Sequence, residues 1–159
     1  MPNVPYLFVS LLYNLGLAIW IGGTVVLGGL VAPTLFSNLD RRSAGDSFGT
    51  ILRKFVRARI ASTAMIVFAA AVKFAIWEGT NVSSLSPWIM IRWVLITAMA
   101  STVLYELFSM EPALARSLAG MRAQGEESDE GRRFRALHRR SESLMKISLV
   151  AAVGALILG

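Results

Sequence analysis

YLFVSLLYNLGLAIWIGGTVVLGGLVAPTLF, residues 6–36, holds 31 consecutive positions without a charge. At ~1.5 Å rise per residue such a helix reaches ~46 Å, more than the ~30 Å hydrocarbon core of a bilayer. The stretch therefore predicts a membrane-crossing helix that must tilt, bend or end near Pro33. It is far too long for the apolar core of a signal peptide, and no basic residue precedes it, so it reads as a retained first span.

Working outward, the turn at Ser37 to Arg42 is followed by Ser43 and Asp46, which have the spacing of a helix-start cap. Phe48, Ile51, Leu52, Phe55 and Val56 then recur at three and four, while Arg53, Lys54 and Arg57 lie off that stripe. This predicts an amphipathic lead-in to a second span, about 59–77. A short polar connector from Glu78 to Pro87 precedes a third span, about 88–108, whose helical pattern continues past the bilayer through 112–121. The polar run 124–131 breaks it. Residues 132–146 then lead into a fourth apolar segment, about 144–158, which is short for a full crossing. The predicted fold is all-α: one membrane domain over 1–159, a four-helix bundle with an amphipathic cytoplasmic lead-in to helix two and a helical cytoplasmic extension between helices three and four.

Composition agrees with that reading. At 55% hydrophobic residues, a chain of 159 carries more apolar side chain than one water-soluble core of that size needs. No cysteine is present, which excludes disulfides, thiolate metal sites and thiol nucleophiles together. The net charge of +6 is concentrated: 14 of the 16 basic residues fall within 41–59 and 116–146, and both ends and the 78–87 connector hold none. The positive-inside bias then places both basic stretches in the cytoplasm, against anionic lipid headgroups, and both termini outside, as in a multi-pass protein of a bacterial inner membrane. Nucleic acid is not an expected partner, because no binding signature accompanies the charge.

Four stretches carry a family likeness: AIWIGGTVVLGGLVAPTLF (18–36), RRSAGDSFGTILRKF (41–55), LYELFSMEPALARSL (104–118) and FRALHRRSESL (134–144). In this order, around Trp20, Gly22, Gly23, Pro33, Phe36, Gly45, Pro112, His138 and Ser141, the chain resembles the transmembrane protein 205-like family, a domain of unknown function. A more distant likeness is to the copper-resistance D membrane proteins. The resemblance implies a four-helix membrane domain and a link with resistance to metal compounds; it implies no reaction. With one histidine, and Tyr13 and Asn14 where a first-helix histidine would be sought, the chain departs from copper chemistry, and no cofactor or metal is expected.

Candidate positions follow from cost. A charge at the bilayer centre costs at least ~2.5 kcal/mol, so it faces a partner, water or the interface. Lys73, Arg92 and Glu106 are such groups, with Glu78 placed to neutralise one of the first two. Snorkelling beside Trp77 and Trp93 accounts for them without function; an outer anion or proton site is the alternative. Gly16, Gly22, Gly23, Gly28 and Gly29 read as helix-packing positions, with Gly16 to Gly23 and Gly22 to Gly29 both seven apart. Trp20 and the single His138 read as interfacial residues. No nucleophile and base pair is identifiable, so an enzyme is not expected. Two functions stay open: a small transporter or channel-like bundle for an ion or small solute, and an accessory or structural subunit, homo-oligomeric or packed against a larger membrane complex.

Overall fold

The computed structural model describes residues 3–79 and 86–159, and every regular element among them is helical. Most of the predicted outer connector, residues 80–85, lies outside the described residues. Helix α1 runs Val4–Asn38. Asn3 starts it by accepting the Tyr6 N–H on its side-chain oxygen, with Pro5 in the first turn where a missing N–H costs nothing.

Pro33 does not end α1. The helix widens by one residue over Leu27–Val31, where the Ala32 N–H reaches back five positions to the Leu27 carbonyl. A proline clashes with the carbonyl four residues before it and donates no hydrogen bond. The wide turn directly upstream absorbs that defect, and side chains beyond it take up backbone acceptors: Thr34 donates to Leu30 O at 2.7 Å and Asn38 to Thr34 O at 2.8 Å.

Only Leu39 and Asp40 separate α1 from α2, Arg41–Glu78. The helix starts earlier than the Ser43/Asp46 spacing predicts. Asp40 is the cap, its carboxylate accepting the Ser43 N–H at 3.0 Å, so the lead-in and second span form one helix. A second wide turn over Phe74–Glu78 closes it, and the Gly79 N–H bonds Phe74 O at 2.7 Å.

The chain forms two compact units. The first comprises residues up to Ile96 together with Ala152–Gly159. Its body is the antiparallel α1–α2 hairpin, in which Tyr6 meets Trp77, Gly16 meets Ser62 and Ile66, Trp20 meets Arg59, and Gly23 meets Phe55. Close approach depends on the missing side chains. A Cβ built on Gly16 would lie 2.8 Å from Ile66 Cγ1 and 3.0 Å from the Ser62 carbonyl, and one on Gly23 would overlap the Phe55 ring. Tyr13, Leu17 and Trp20 fill the seam with Ile66, Ala69 and Ala70.

The second unit is Thr97–Ala151. It is built from parts of α3, Pro87–Gln124, and α4, Asp129–Ile157. Helix α3 repeats the device of α1: a wide turn over Glu106–Met110 directly precedes Pro112. The helix therefore continues without a break through the predicted extension. Gly125, at φ 98°, ends it, and Ser128 accepts the Gly131 N–H to start α4. Across this hairpin Thr102 Oγ1 lies 2.7 Å from Ser148 Oγ, and Gly120 lets Glu130 pack closely. The small residues Thr97 and Ser101 of α3 are exposed, and the contact falls to Thr102.

Among the described residues, three helices are long and apolar enough to cross a membrane: α1, α2 and α3. Helix α4 is one helix from its charged start, but its apolar part, 144–158, reaches only ~22 Å. Of the predicted four-helix membrane bundle, the described residues support the all-helical class and three helices able to span, and not the four-helix arrangement.

Candidate functional site

The first unit gathers the ionisable residues of its apolar stretches into a closed cluster. Arg92, in the first turns of α3, meets Glu78 at the end of α2 in a two-pronged pair: Nη1 donates to Oε1 at 3.0 Å and Nη2 to Oε2. Lys73, one turn and a half before Glu78, donates from Nζ to the main-chain oxygen of Gly159 at 3.0 Å. Its ammonium also lies 5.2 Å and 5.5 Å from the ring centres of Tyr6 and Tyr13. Tyr13 is held in turn, its hydroxyl donating to Ala155 O at 2.9 Å.

Lys73 is 2% exposed and Arg92 3%. Both side chains turn into the protein, so the snorkelling geometry is not the one adopted. A planar guanidinium matched to a carboxylate through two parallel hydrogen bonds is the arrangement that offsets desolvation best. Trp77 packs edge-on against Tyr6 at 5.3 Å and Trp93 edge-on against Phe74 at 6.1 Å, closing an aromatic shell beside the charges. The cluster holds two cations and one carboxylate. Chemically it can neutralise, orient and seal charge.

The remaining candidates lie elsewhere. Glu106 opens the wide turn of α3 within the second unit. His138 sits on an exposed face of α4, stacked on Phe134 at 5.8 Å, with Nε2 3.3 Å from Glu142 Oε1 one turn on. Trp20 is not at an interface facing lipid: it is fully buried in the hairpin beneath the Arg59 guanidinium, 4.7 Å from its ring centre. Arg59, counted in sequence among the cytoplasmic cations, is itself 4% exposed. The glycines divide. Gly16 and Gly23 line the hairpin seam, whereas a Cβ on Gly22, Gly28 or Gly29 would meet nothing within 4 Å.

Sequence reasoning missed the roles of Tyr6, Tyr13 and the main-chain oxygens of Ala155 and Gly159. Tyr13 gave one signal, a hydroxyl inside an uncharged span that needs an acceptor. The carbonyls gave none, because backbone oxygens carry no residue signature.

No curated protein and no solved structure matches the chain. Residues 15–123 match a family described as a domain of unknown function, DUF4149. That range takes in Lys73, Glu78 and Arg92 together with α1 from Leu15 onward and all of α2. Covering well over half of the sequence, the match means that the chain belongs to the DUF4149 family of proteins.

Proposed function

We propose that this is a multi-pass protein of a bacterial inner membrane that works by assembly: a structural or accessory subunit, self-associating or packed against a larger membrane complex, with no catalytic role. In this reading α4 makes a fourth crossing with its lead-in partly immersed, both termini lie outside, and the basic stretches 41–59 and 116–146 face anionic lipid in the cytoplasm.

The observation that carries it is the outward face of α1. Leu7, Leu11, Asn14, Ala18, Gly22, Val25 and Gly29 are all exposed and recur at three and four along one side of an apolar span. Small residues there permit close approach by another helix, and the Asn14 amide makes no hydrogen bond among the described residues. An amide in hydrocarbon without a partner is costly, and a neighbouring helix supplies one.

The test uses the absence of native cysteine. Gly22→Cys should form a disulfide-linked dimer, or a cross-link to a larger partner, in native membranes, whereas Ile66→Cys, buried in the hairpin, should not. Asn14→Leu should weaken the association. A monodisperse monomer in mild detergent with no Gly22→Cys adduct would remove this reading. Transport of a small anion is the second reading, favoured by the presence of two buried cations, Lys73 and Arg92, in one unit. It requires anion flux into vesicles holding the protein alone, abolished by Lys73→Met.

A further inference from the structure

Within the second unit, α3 and α4 leave an open groove of ≈ 280 Å³ lined by Ser101, Thr102, Tyr105, Arg140 and Leu144. Arg140 lies over the Tyr105 ring at 5.5 Å and makes no ion pair with an acid among the described residues. Other arginines of α4 do: Arg132 pairs with Asp129 and Arg133 with Glu130. Thr102 is already engaged with Met99 O and Ser148, so the open donors are the Arg140 guanidinium and the hydroxyls of Ser101 and Tyr105. Leu144 forms the apolar part of the lining, and Ile147 (61% exposed) and Leu104 (54% exposed) extend apolar surface beside it.

We infer that this groove is a binding site for an anionic phospholipid of the cytoplasmic leaflet, its phosphate on Arg140 and one acyl chain along Leu144 and Ile147. Three features converge on that ligand. A guanidinium over a tyrosine ring and without an acidic partner keeps its N–H groups available to a phosphate. The position is where the apolar part of α4 gives way to its basic part, with Arg139, Arg140 and Lys146 within two turns, so one end of the groove meets hydrocarbon and the other meets charge. The groove is open and not enclosed, as entry of a lipid chain requires. The inference rests on the cytoplasmic placement of 116–146, and it deepens the general attraction to anionic lipid into one site.

The experiment is native mass spectrometry of the purified protein in mild detergent. Phosphatidylglycerol, phosphatidylcholine of the same acyl chains, and glycerol phosphate are added separately. Phosphatidylglycerol should bind with one tight stoichiometric site, phosphatidylcholine about tenfold more weakly, and glycerol phosphate not measurably. Arg140→Gln should weaken phosphatidylglycerol about tenfold, the scale of one charge-assisted hydrogen bond. Arg139→Gln removes the same charge from an exposed side chain outside the groove and should leave binding within twofold. Ser101→Trp, which fills the groove without altering charge, should also abolish the tight site. Equal losses in Arg139→Gln and Arg140→Gln would show diffuse attraction and overturn the site; so would full binding by Ser101→Trp, or equal affinity for phosphatidylcholine. Lipid retention in detergent is independent of assembly and of orientation, so this result and the cross-linking result fail separately.

Discussion

The α1–α2 seam makes a quantitative prediction, because two glycines on one helix meet opposite surroundings. Replace Gly16 by Leu. Its first added carbon already lies 2.8 Å from Ile66 Cγ1 and 3.0 Å from the Ser62 carbonyl, against ordinary contacts of 3.4–4 Å. Ile66 can rotate, but Ser62 O is backbone of α2, so the helices must separate locally, and three more carbons follow. Overpacking costs ~1–3 kcal/mol, and a backbone clash belongs at the upper end, ~3 kcal/mol. Leu in place of Gly returns ~1 kcal/mol of helix propensity, leaving a net loss of ~2 kcal/mol. Gly22→Leu adds the same side chain two turns along into space that is open within one chain, and in protein held as a monomer it should gain up to ~1 kcal/mol. The pair therefore differs by ~3 kcal/mol, or ~6–12 °C in melting temperature at ~2–4 °C per kcal/mol for a chain this long. Thermal unfolding of both purified variants in one detergent, followed by circular dichroism, reads the difference with detergent binding matched. Melting temperatures within ~2 °C of each other would refute close helix approach at Gly16.

Other expectations follow from the cluster and the caps. Arg92→Leu leaves the half-buried Glu78 carboxylate without its partner and should cost up to ~3 kcal/mol, while Arg92→Leu/Glu78→Leu should recover most of that loss; a double variant no better than the single one would contradict a paired cluster. Orientation is read from cysteine labelling: Ser84→Cys should react with an impermeant thiol reagent added outside intact cells and Glu127→Cys only after lysis, and the reverse pattern would invert the topology. Asp40, capping α2, is held below the usual carboxylate range chiefly by the Ser43 side-chain hydrogen bond, with the Ser43 N–H adding to it. Because its folded-state pKa is depressed, its stabilisation is complete above the unfolded value near 3.8 and fades as pH falls through the lower folded value. Asp40→Asn should abolish that part of the acid dependence of helicity, and an unchanged profile below pH ~4 would show that the cap does not titrate with folding.

What the residues alone determine here is what one dimension encodes. Uncharged length makes α1 long and apolar enough to span a bilayer, the clustered arginines divide the chain into basic and neutral segments, and the break at 124–131 is written in Gly125 and Ser128. Boundaries were harder where defects cancel. Pro33 reads as a place where the first helix bends or ends, yet a five-residue wide turn upstream carries the helix through, as another does before Pro112. Asp40 competes with Ser43 as the cap and wins because the chain needs only two linking residues before α2.

The seven-residue spacing marks Gly16 with Gly23 and Gly22 with Gly29 as two equivalent pairs, and only tertiary structure assigns one to the α2 seam and the other to an open face. In a helix apolar all round, periodicity carries no sign of inside or outside, so the partner helix decides. The same holds for charge. Sequence spacing shows that Lys73, Glu78 and Arg92 are costly in a bilayer, but the fold alone brings Arg92 to Glu78 and a backbone carbonyl to Lys73, since hydrogen bonding depends on ångström-scale geometry between segments far apart in the chain.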